Sequence, residues 1–415
     1  MFVLFNVSPA VGGSKSFSMD INSSKNNQDW KSELVRFLGE IVAIPSPSGE
    51  EKEVLDRIAL ELKKTGWGEI RFDRIGNLRA KIGDGKHQVA IDGHADTVGS
   101  GKMEDWECDP YQGRCRDGWI WGRGAVDQKS GLASAVYAGL IIQEEGLLDD
   151  FTLNLVLSIQ EEDCEGLCWD YIIEEEGFRP EGVILTEPTN LEIKRGQLGH
   201  MEMLVTAGGE SAHAFCPEFG DNAIYRMAPL IERIQAIAPG LSSHPDFGRG
   251  RISVTSITSK SPSDNSVPDA CRIRIDRRFS PGETEDELIE EIRRAAGNTV
   301  YEIIVPTYRR KSHTGVLLEG KKYLPGWLVE EEDPLVCSAR KTSALVMGQE
   351  VTVGTWRFST NGVSTMGKHG IPTIGFGPGD EKMAHRPNER VLISHVIEAA
   401  NFYARLPGVY CRRLN

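Results

Sequence analysis

The chain has 415 residues, of which 40% are hydrophobic and 26% are charged, a composition typical of a soluble globular protein with two or three domains. Acidic residues outnumber basic residues by 61 to 47, which gives a formal net charge of −14. This charge argues against nucleic acid or an anionic membrane as a partner. No apolar run reaches the roughly 18 residues that a membrane-spanning helix needs.

Short sequence patterns indicate whether the chain carries a targeting signal and whether its cysteines form disulfides. We expect residues 1–28 to form a flexible leader, because their brief apolar opening lacks the basic start of a secretory signal. The eight cysteines show no disulfide-framework spacing, which predicts reduced thiols and a cytoplasmic protein. A soft-metal site at Cys164 and Cys168 is the less favoured interpretation of their C-x3-C spacing.

The first part of the chain, residues 29–195, predicts an α/β layer. Two amphipathic helices come first, in DWKSELVRFLGEIVAI and EEKEVLDRIALELKKTGW. Ser48 and Glu51 form an S-x-x-E signal that predicts the start of the second helix. Strands such as HQVAIDGHAD, FTLNLVLSIQEE and GVILTEPT then alternate with helices. This order predicts a mostly parallel sheet with helices on both faces.

The pattern changes near residue 200. Residues 196–307 read as strand, helix, two strands, helix and strand over about 110 residues, which predicts a smaller ferredoxin-like α+β domain. The α/β pattern resumes after it, with the helix DPLVCSARKTSALVMG, the strand GIPTIGFGPG and the helix SHVIEAANFYARL. Residues 308–415 are therefore expected to complete the domain that residues 29–195 begin.

Ionisable side chains recur where the predicted strands of the larger domain end. In open α/β sheets, ligands bind beyond the carboxyl ends of the strands, so we expect these side chains to form one site. Clustered carboxylates and imidazoles without clustered cysteines favour zinc, manganese or cobalt, and one carboxylate can bridge two ions. The residues are His94, Asp96, Asp127, Glu161, Glu162, Glu187 and His385.

The spacing within the cluster predicts separate roles for neighbouring residues. Side chains two apart on a strand point the same way, so His94 can bind metal while Asp96 holds its other ring nitrogen. Glu161 and Glu162 are adjacent and should point in different directions. One of them can therefore bind metal while the other stays free as a base.

The ordered motifs resemble those of the M20 family of dinuclear-zinc amidohydrolases. This family includes glutamate carboxypeptidase, acetylornithine deacetylase and succinyl-diaminopimelate desuccinylase, and the chain looks especially like its selenium-metabolism-linked hydrolase subgroup. The resemblance covers residues from about 30 to 410. It is carried by GHADTV, GRGAVDQKSG, QEED, TEPT, SAHAFCPEFGDNAI, NSVPDACRIRIDRRFSPGET and FGPGDEKMAHRPNE.

The resemblance implies a role for each residue of the set. It assigns one metal to His94, Asp127 and Glu187, and the other to Asp127, Glu162 and His385. It makes Glu161 the general base and Asp96 the partner of His94, with a cis peptide bond after Asp127. Residues 196–307 would be a lid and dimerisation domain of a homodimer. The lid residues implied near the substrate are His213, which would stabilise the oxyanion, Arg278, which would hold a carboxylate, and Asn222.

The family implies a substrate class and leaves alternatives open. We expect hydrolysis of an amide bond in an N-acyl amino acid or small peptide with a free carboxylate. Hydrolysis of an N-carbamoyl amino acid in nitrogen or purine catabolism is the alternative reaction, and a metal-binding relative without activity is the alternative class. The chain departs from the family at Asn361 and Gly362, where many relatives have an Asp-containing turn near the substrate.

Overall fold

The computed structural model of the chain describes residues 29–415. The predicted leader, residues 1–28, lies outside the described residues. The helices are α1 Asp29–Val42, α2 Lys52–Lys64, α3 Lys129–Glu144, α4 Leu167–Glu174, α5 Ala223–Ile237, α6 Glu285–Ala296, α7 Pro334–Met347 and α8 Ile393–Leu414. Among residues 29–415, none of the helices combines the length and apolar composition that a bilayer crossing requires.

The strands fall into a large sheet, a second sheet and short hairpins. Up to residue 197 they are β1 Gly68–Phe72, β2 Leu78–Ile82, β3 His87–His94, β4 Arg114–Arg116, β5 Trp119–Trp121, β6 Phe151–Ser158, β7 Gly182–Leu185 and β8 Ile193–Gln197. The next group is β9 Gly199–Gly208, β10 Ser243–His244, β11 Gly248–Arg249, β12 Arg251–Lys260, β13 Ala270–Phe279 and β14 Glu302–Ile304. The last group is β15 Thr307–Lys311, β16 Leu317–Lys321, β17 Tyr323–Leu324, β18 Trp327–Leu328, β19 Val353–Trp356, β20 Thr373–Gly375 and β21 Arg390–Leu392.

The large sheet has nine strands within residues 29–415, in the order β1-β2-β6-β3-β7-β20-β8-β18, with β19 also paired to β8. Its centre, β6-β3-β7-β20, is parallel, and β6 is buried along its whole length, as expected of a strand covered on both faces. The predicted α/β class is confirmed. The edges add antiparallel pairs at β1, β2 and β18, so the sheet is mixed and its parallel part is central.

The second sheet runs in the order β12-β13-β9-β14 and is antiparallel. Helices α5 and α6 pack against each other, α5 also packs on the sheet, and together they enclose an apolar cluster of their own that extends from Met201 to Val305. This is the predicted ferredoxin-like arrangement. The chain returns once more after the β15–β16 hairpin, when β17 pairs with β9.

Helix α2 begins directly after the predicted start signal, with Glu51 as its N-cap residue, but no capping box forms. The N-cap residue Glu51 makes no side-chain capping bond to the helix; its Oε1 instead accepts the N–H groups of Gly49 (2.7 Å) and Gln160 (3.1 Å). The Ser48 hydroxyl donates to Asp96 at 2.7 Å. Both side chains therefore connect the loop before α2 to the strand ends, because partners distant in sequence compete successfully with the local helix end.

Candidate metal centre

The carboxyl ends of three neighbouring parallel strands meet at one edge of the large sheet. His94 ends β3 opposite Ser158, the last residue of β6, and Asp92 lies opposite Leu185, the last residue of β7. The segments that follow β6 and β7 therefore carry their acidic residues to the side chain of His94. A cavity of about 320 Å³ lies there, and its lining includes His94, Asp127, Glu161, Glu162, Glu187 and His385.

Asp127 lies between two imidazoles. Its Oδ1 is 3.0 Å from Nε2 of His94, and its Oδ2 is 3.1 Å from Nε2 of His385. Two ligands of one tetrahedral zinc ion, bound at about 2.0–2.2 Å, are themselves separated by about 3.3 Å. Each oxygen of Asp127 thus has a histidine nitrogen at the separation expected of two ligands that share a metal. A carboxylate in this position can bridge two ions.

Two further carboxylates complete the cluster. Glu162 places an oxygen 3.1 Å from Nε2 of His385, and Glu187 Oε1 is 3.8 Å from Nε2 of His94. Ligand atoms of His94, Asp127 and Glu162 lie within 4.8 Å of one another. The structure therefore brings together all the predicted metal ligands.

Glu161 differs from Glu162 in that one of its carboxylate oxygens makes no hydrogen bond within residues 29–415. Its side chain is buried, and Oε2 is 3.9 Å from Nε2 of His94. Oε1 is buried without a hydrogen-bond partner among the described residues. A buried carboxylate oxygen is costly to leave unpaired, so this atom is available to a bound water or ligand. Glu161 and Glu162 do point to different parts of the site, as their adjacency predicts.

The electrostatics of the cluster fit bound cations. Burial raises the pKa of Glu161 and of Glu187 well above the usual value, and neighbouring carboxylates raise both further against the opposing charge of His94. Hydrogen bonds to Asp127 and Glu162 raise the pKa of His385 to about 10. Without metal, the cluster thus retains protons to offset its negative charge, a task that divalent ions perform when bound.

Asp96 supports the site through both its backbone and its side chain. Nδ1 of His94 donates to the main-chain carbonyl of Asp96 at 2.8 Å, whereas the Asp96 carboxylate is 3.5 Å away. The carboxylate instead accepts the N–H groups of Glu161 and Glu162, both at 3.1 Å. Asp96 therefore orients His94 mainly through its backbone and fixes the Glu161–Glu162 turn through its side chain.

The predicted lid residues are placed in three different environments. Arg278 lines the cavity and is held by Asp276 through contacts of 2.9 and 3.2 Å. His213 is exposed in the loop after β9. Asn222 is the N-cap residue of α5 and accepts the Ile224 N–H at 2.9 Å. Within the described part of the chain, neither His213 nor Asn222 lines this cavity.

The Asn361 segment is partly different from expectation. Asn361 itself is buried below the site, where it donates to Asp92 (2.9 Å) and Ser158 (3.0 Å) and accepts the Gly166 N–H at 2.8 Å. It ties β3, β6 and the start of α4 together and does not line the cavity. Residues just before it, Phe358 and Ser359, do.

Other cavity and supporting residues were missed by the sequence reasoning. Glu165 and Glu381 line the cavity, and Glu389 is fully buried behind it. The only available signal was position, since Glu165 follows Glu161 by four residues and Glu389 follows His385 by four residues in HRPNE.

The predicted cis peptide bond between Asp127 and Gln128 is confirmed.

Comparisons with known proteins identify relatives along most of the chain. Residues 90–407 match the family model described as peptidase family M20/M25/M40. The chain is 44% identical over 382 residues to the uncharacterized protein YgeY of Escherichia coli K12, covering 92% of this chain and 95% of that one. It is 29% identical over 398 residues to a succinyl-diaminopimelate desuccinylase of Cereibacter sphaeroides, covering 90% and 97%.

A solved structure shows the same fold. The Bacillus subtilis protein YxeP, described as a dinuclear metal-binding peptidase of the M20 family, superposes with a TM-score of 0.68 at 14% identity, over 92% of this chain and 98% of that one. The match to the family covers most of the chain and contains the whole metal-ligand cluster. The chain therefore belongs to the peptidase family M20/M25/M40 and is a metal-dependent hydrolase of amide bonds.

Proposed function

We propose that the protein hydrolyses the amide bond of an N-acyl amino acid, or of a small peptide with a free carboxylate, with two divalent metal ions in its cavity. The observation that carries this proposal is the position of Asp127 between the imidazoles of His94 and His385. Glu161 lines the same cavity, and its buried Oε1 has no hydrogen-bond partner within residues 29–415. Hydrolysis by two metal ions requires a carboxylate that can bridge the ions and a nearby base that can accept a proton.

The chain's donors divide into two sets in this proposal. One ion would be held by His94, Asp127 and Glu187, and the other by Asp127, Glu162 and His385. Nitrogen and oxygen donors without thiolate suit zinc, with cobalt or manganese as alternatives. When bound, the ions supply Lewis-acid polarisation of the amide carbonyl and lower the pKa of the attacking water toward about 7.

Glu161 has the central proton-transfer role. Its free Oε1 accepts a proton from the attacking water, and the same carboxyl group returns that proton to the leaving amine. Burial raises the pKa of the Glu161 carboxyl group, and a higher pKa makes its carboxylate a stronger proton acceptor. The hydrogen bonds from the Glu161 and Glu162 amides to Asp96 hold the turn in place while this happens.

Substrate recognition is assigned to the smaller domain, residues 196–307, acting as a lid. Arg278 reaches the cavity and binds the substrate carboxylate by a charge-assisted pair. His213 is exposed on its loop. In this proposal it completes the active site of a partner subunit and stabilises the oxyanion there. Asn222, the N-cap residue of α5, is assigned a polar contact with the substrate.

The assembly and the compartment are also proposals. A homodimer formed through the lid would use β12, an edge strand of the second sheet. The C-terminal half of this strand is exposed. Unpaired edge strands commonly serve such pairing. All eight cysteines are free thiols, which supports a reducing cytoplasm. The name of the desuccinylase relative supports an N-acyl substrate.

The test is release of free amine by the zinc- or manganese-loaded protein. The panel contains N-acyl amino acids, N-carbamoyl amino acids and dipeptides, and E161Q is the matched control because it keeps the shape of the side chain. We expect turnover of N-acyl amino acids or small peptides and a loss of about 10²–10⁴-fold in kcat in E161Q, with both metals retained. Turnover of N-carbamoyl substrates alone, or two bound metals with no turnover, would refute the proposed reaction.

A further inference from the structure

Glu389 connects the two loops that carry Asp127 and His385. Its side chain is fully buried. Oε1 accepts the main-chain N–H groups of Val126 (2.7 Å) and Asp127 (3.0 Å). Its own carbonyl accepts the Gly122 N–H at 3.0 Å. One residue thus bonds to both ends of the segment that leads to the bridging aspartate.

The charge of Glu389 is balanced inside the protein. Oε2 accepts from Arg123 Nη1 at 2.5 Å, and the guanidinium stacks over Trp106 with a centroid distance of 5.4 Å. A buried carboxylate is tolerated only when it is paired and hydrogen-bonded. Here three donors converge on two oxygens, which fixes the carboxylate and, through it, the Asp127 amide.

The other side of Glu389 leads directly to His385. The intervening Asn388 accepts the Glu107 N–H at 2.7 Å and donates to the Asp105 carbonyl at 3.2 Å. The segment from His385 to Glu389 is therefore anchored at its far end while its near end carries a proposed ligand. The His385 side chain is 49% exposed, whereas that of His94 is 1% exposed, so His385 depends more on such anchoring.

We propose that Glu389 is a positioning residue that sets the separation between Asp127 and His385 and thereby the affinity for the ion held by Asp127, Glu162 and His385. The inference rests on the proposed metal assignment. It adds a residue that touches neither metal nor substrate. Partners of this kind commonly change metal affinity by about 10- to 100-fold when they are lost.

The test is metal binding by the E389D variant, which retains the charge opposite Arg123 and shortens the reach to the two amides. The matched control is E61D. Glu61 is equally buried and accepts from Arg57 and Tyr137, both at 2.8 Å, away from the cavity. Zinc affinities come from competition with a chromophoric chelator, and the visible spectrum of the cobalt-loaded protein reports the coordination at each added equivalent.

We expect E389D to bind the second equivalent about 10- to 100-fold more weakly with an altered cobalt spectrum, and E61D to bind both equivalents as the wild type does. E389Q retains the length of the side chain and an acceptor for the amides, so it should bind the second ion more tightly than E389D. Wild-type affinity in E389D, or equal weakening in E61D, would overturn the role of Glu389. A wild-type protein that binds fewer than two ions would instead refute the proposed function.

Discussion

The substitution of Asp96 by Asn tests how the Glu161–Glu162 turn is held. Oδ2 of Asp96 accepts from the Ser48 hydroxyl and the Glu162 N–H, and Oδ1 accepts the Glu161 N–H. An asparagine has one oxygen and one amino group in place of the two oxygens. Whichever way the amide group of the asparagine is flipped, its NH₂ group faces the N–H group of Glu161 or of Glu162 at about the former hydrogen-bond distance. Two donors then face each other, and that hydrogen bond is lost.

The size of the effect follows from these bonds. A hydrogen bond to a charged acceptor is worth about 1.5–3 kcal/mol, and the substitution removes at least one such bond and the charge behind the rest. We therefore expect the unfolding free energy of metal-free D96N to fall by about 2–4 kcal/mol. Because the turn carries Glu162, and because the Asp96 carboxylate also lies 3.5 Å from Nδ1 of His94, metal affinity should also fall by about 10- to 100-fold.

Urea unfolding of the metal-free protein and zinc competition titrations measure the two effects. The control is Ser48→Ala, which removes one hydroxyl donor but leaves both amides on the carboxylate, and should cost about 1 kcal/mol without a change in metal affinity. If D96N matched Ser48→Ala in stability and the wild type in metal affinity, the support assigned to the Asp96 carboxylate would be refuted.

Three more predictions concern protons, the lid and the core. Zinc binding at pH 7 should release protons, because the pKa of His385 is raised to about 10 in the metal-free protein and a ligand nitrogen must be deprotonated. Zinc affinity should therefore rise with pH. Calorimetry in buffers of different ionisation enthalpy counts the released protons. Asp276→Asn loosens Arg278 and should raise KM for carboxylate substrates about tenfold with little change in kcat, the scale of one charged hydrogen bond. Gly375→Ala places Cβ 1.8 Å from Trp356 and should cost about 1–3 kcal/mol in urea unfolding.

Each of these has its own control. Zinc uptake without proton release at pH 7 would contradict the protonation assigned to the metal-free cluster. A substrate analogue without a carboxylate should show the same KM in Asp276→Asn and the wild type, and an equal increase for both substrates would contradict the role of Arg278. Gly208→Ala should leave stability unchanged, because apart from its chain neighbours no atom of residues 29–415 lies within 4 Å of the added Cβ.

The sequence by itself was sufficient for the strand ends and for the type of chemistry. An apolar run that ends in ionisable residues is a local pattern, so it located β3, β6 and β7 and the side chains that follow them. Parallel neighbours end at the same edge, so His94, Glu161, Glu162 and Glu187 could be grouped without coordinates. Asp127, just before a helix, and His385, after a later apolar strand, joined the set by the same argument from position. The ordered motifs then supplied the family.

The details of support depended on the tertiary structure. The helix-start signal of Ser48 was genuine in pattern, but its hydroxyl bonds to Asp96 because the fold brings that carboxylate within 2.7 Å. Asn361 was expected near the substrate, yet it is buried against Asp92 and Ser158. These contacts join residues far apart in the chain, so no local pattern encodes them.

Glu389 shows the same limit most clearly. Its carboxylate bonds to the amide of Asp127, 262 residues earlier in the chain, and nothing in the HRPNE stretch distinguishes it from a solvated acid. Periodicity and motif order determine which side chains reach the edge of the sheet, since these depend on neighbours in sequence. The separation between those side chains, which decides whether they can hold two ions, is set by buried hydrogen bonds between distant segments, and these exist only in the folded chain.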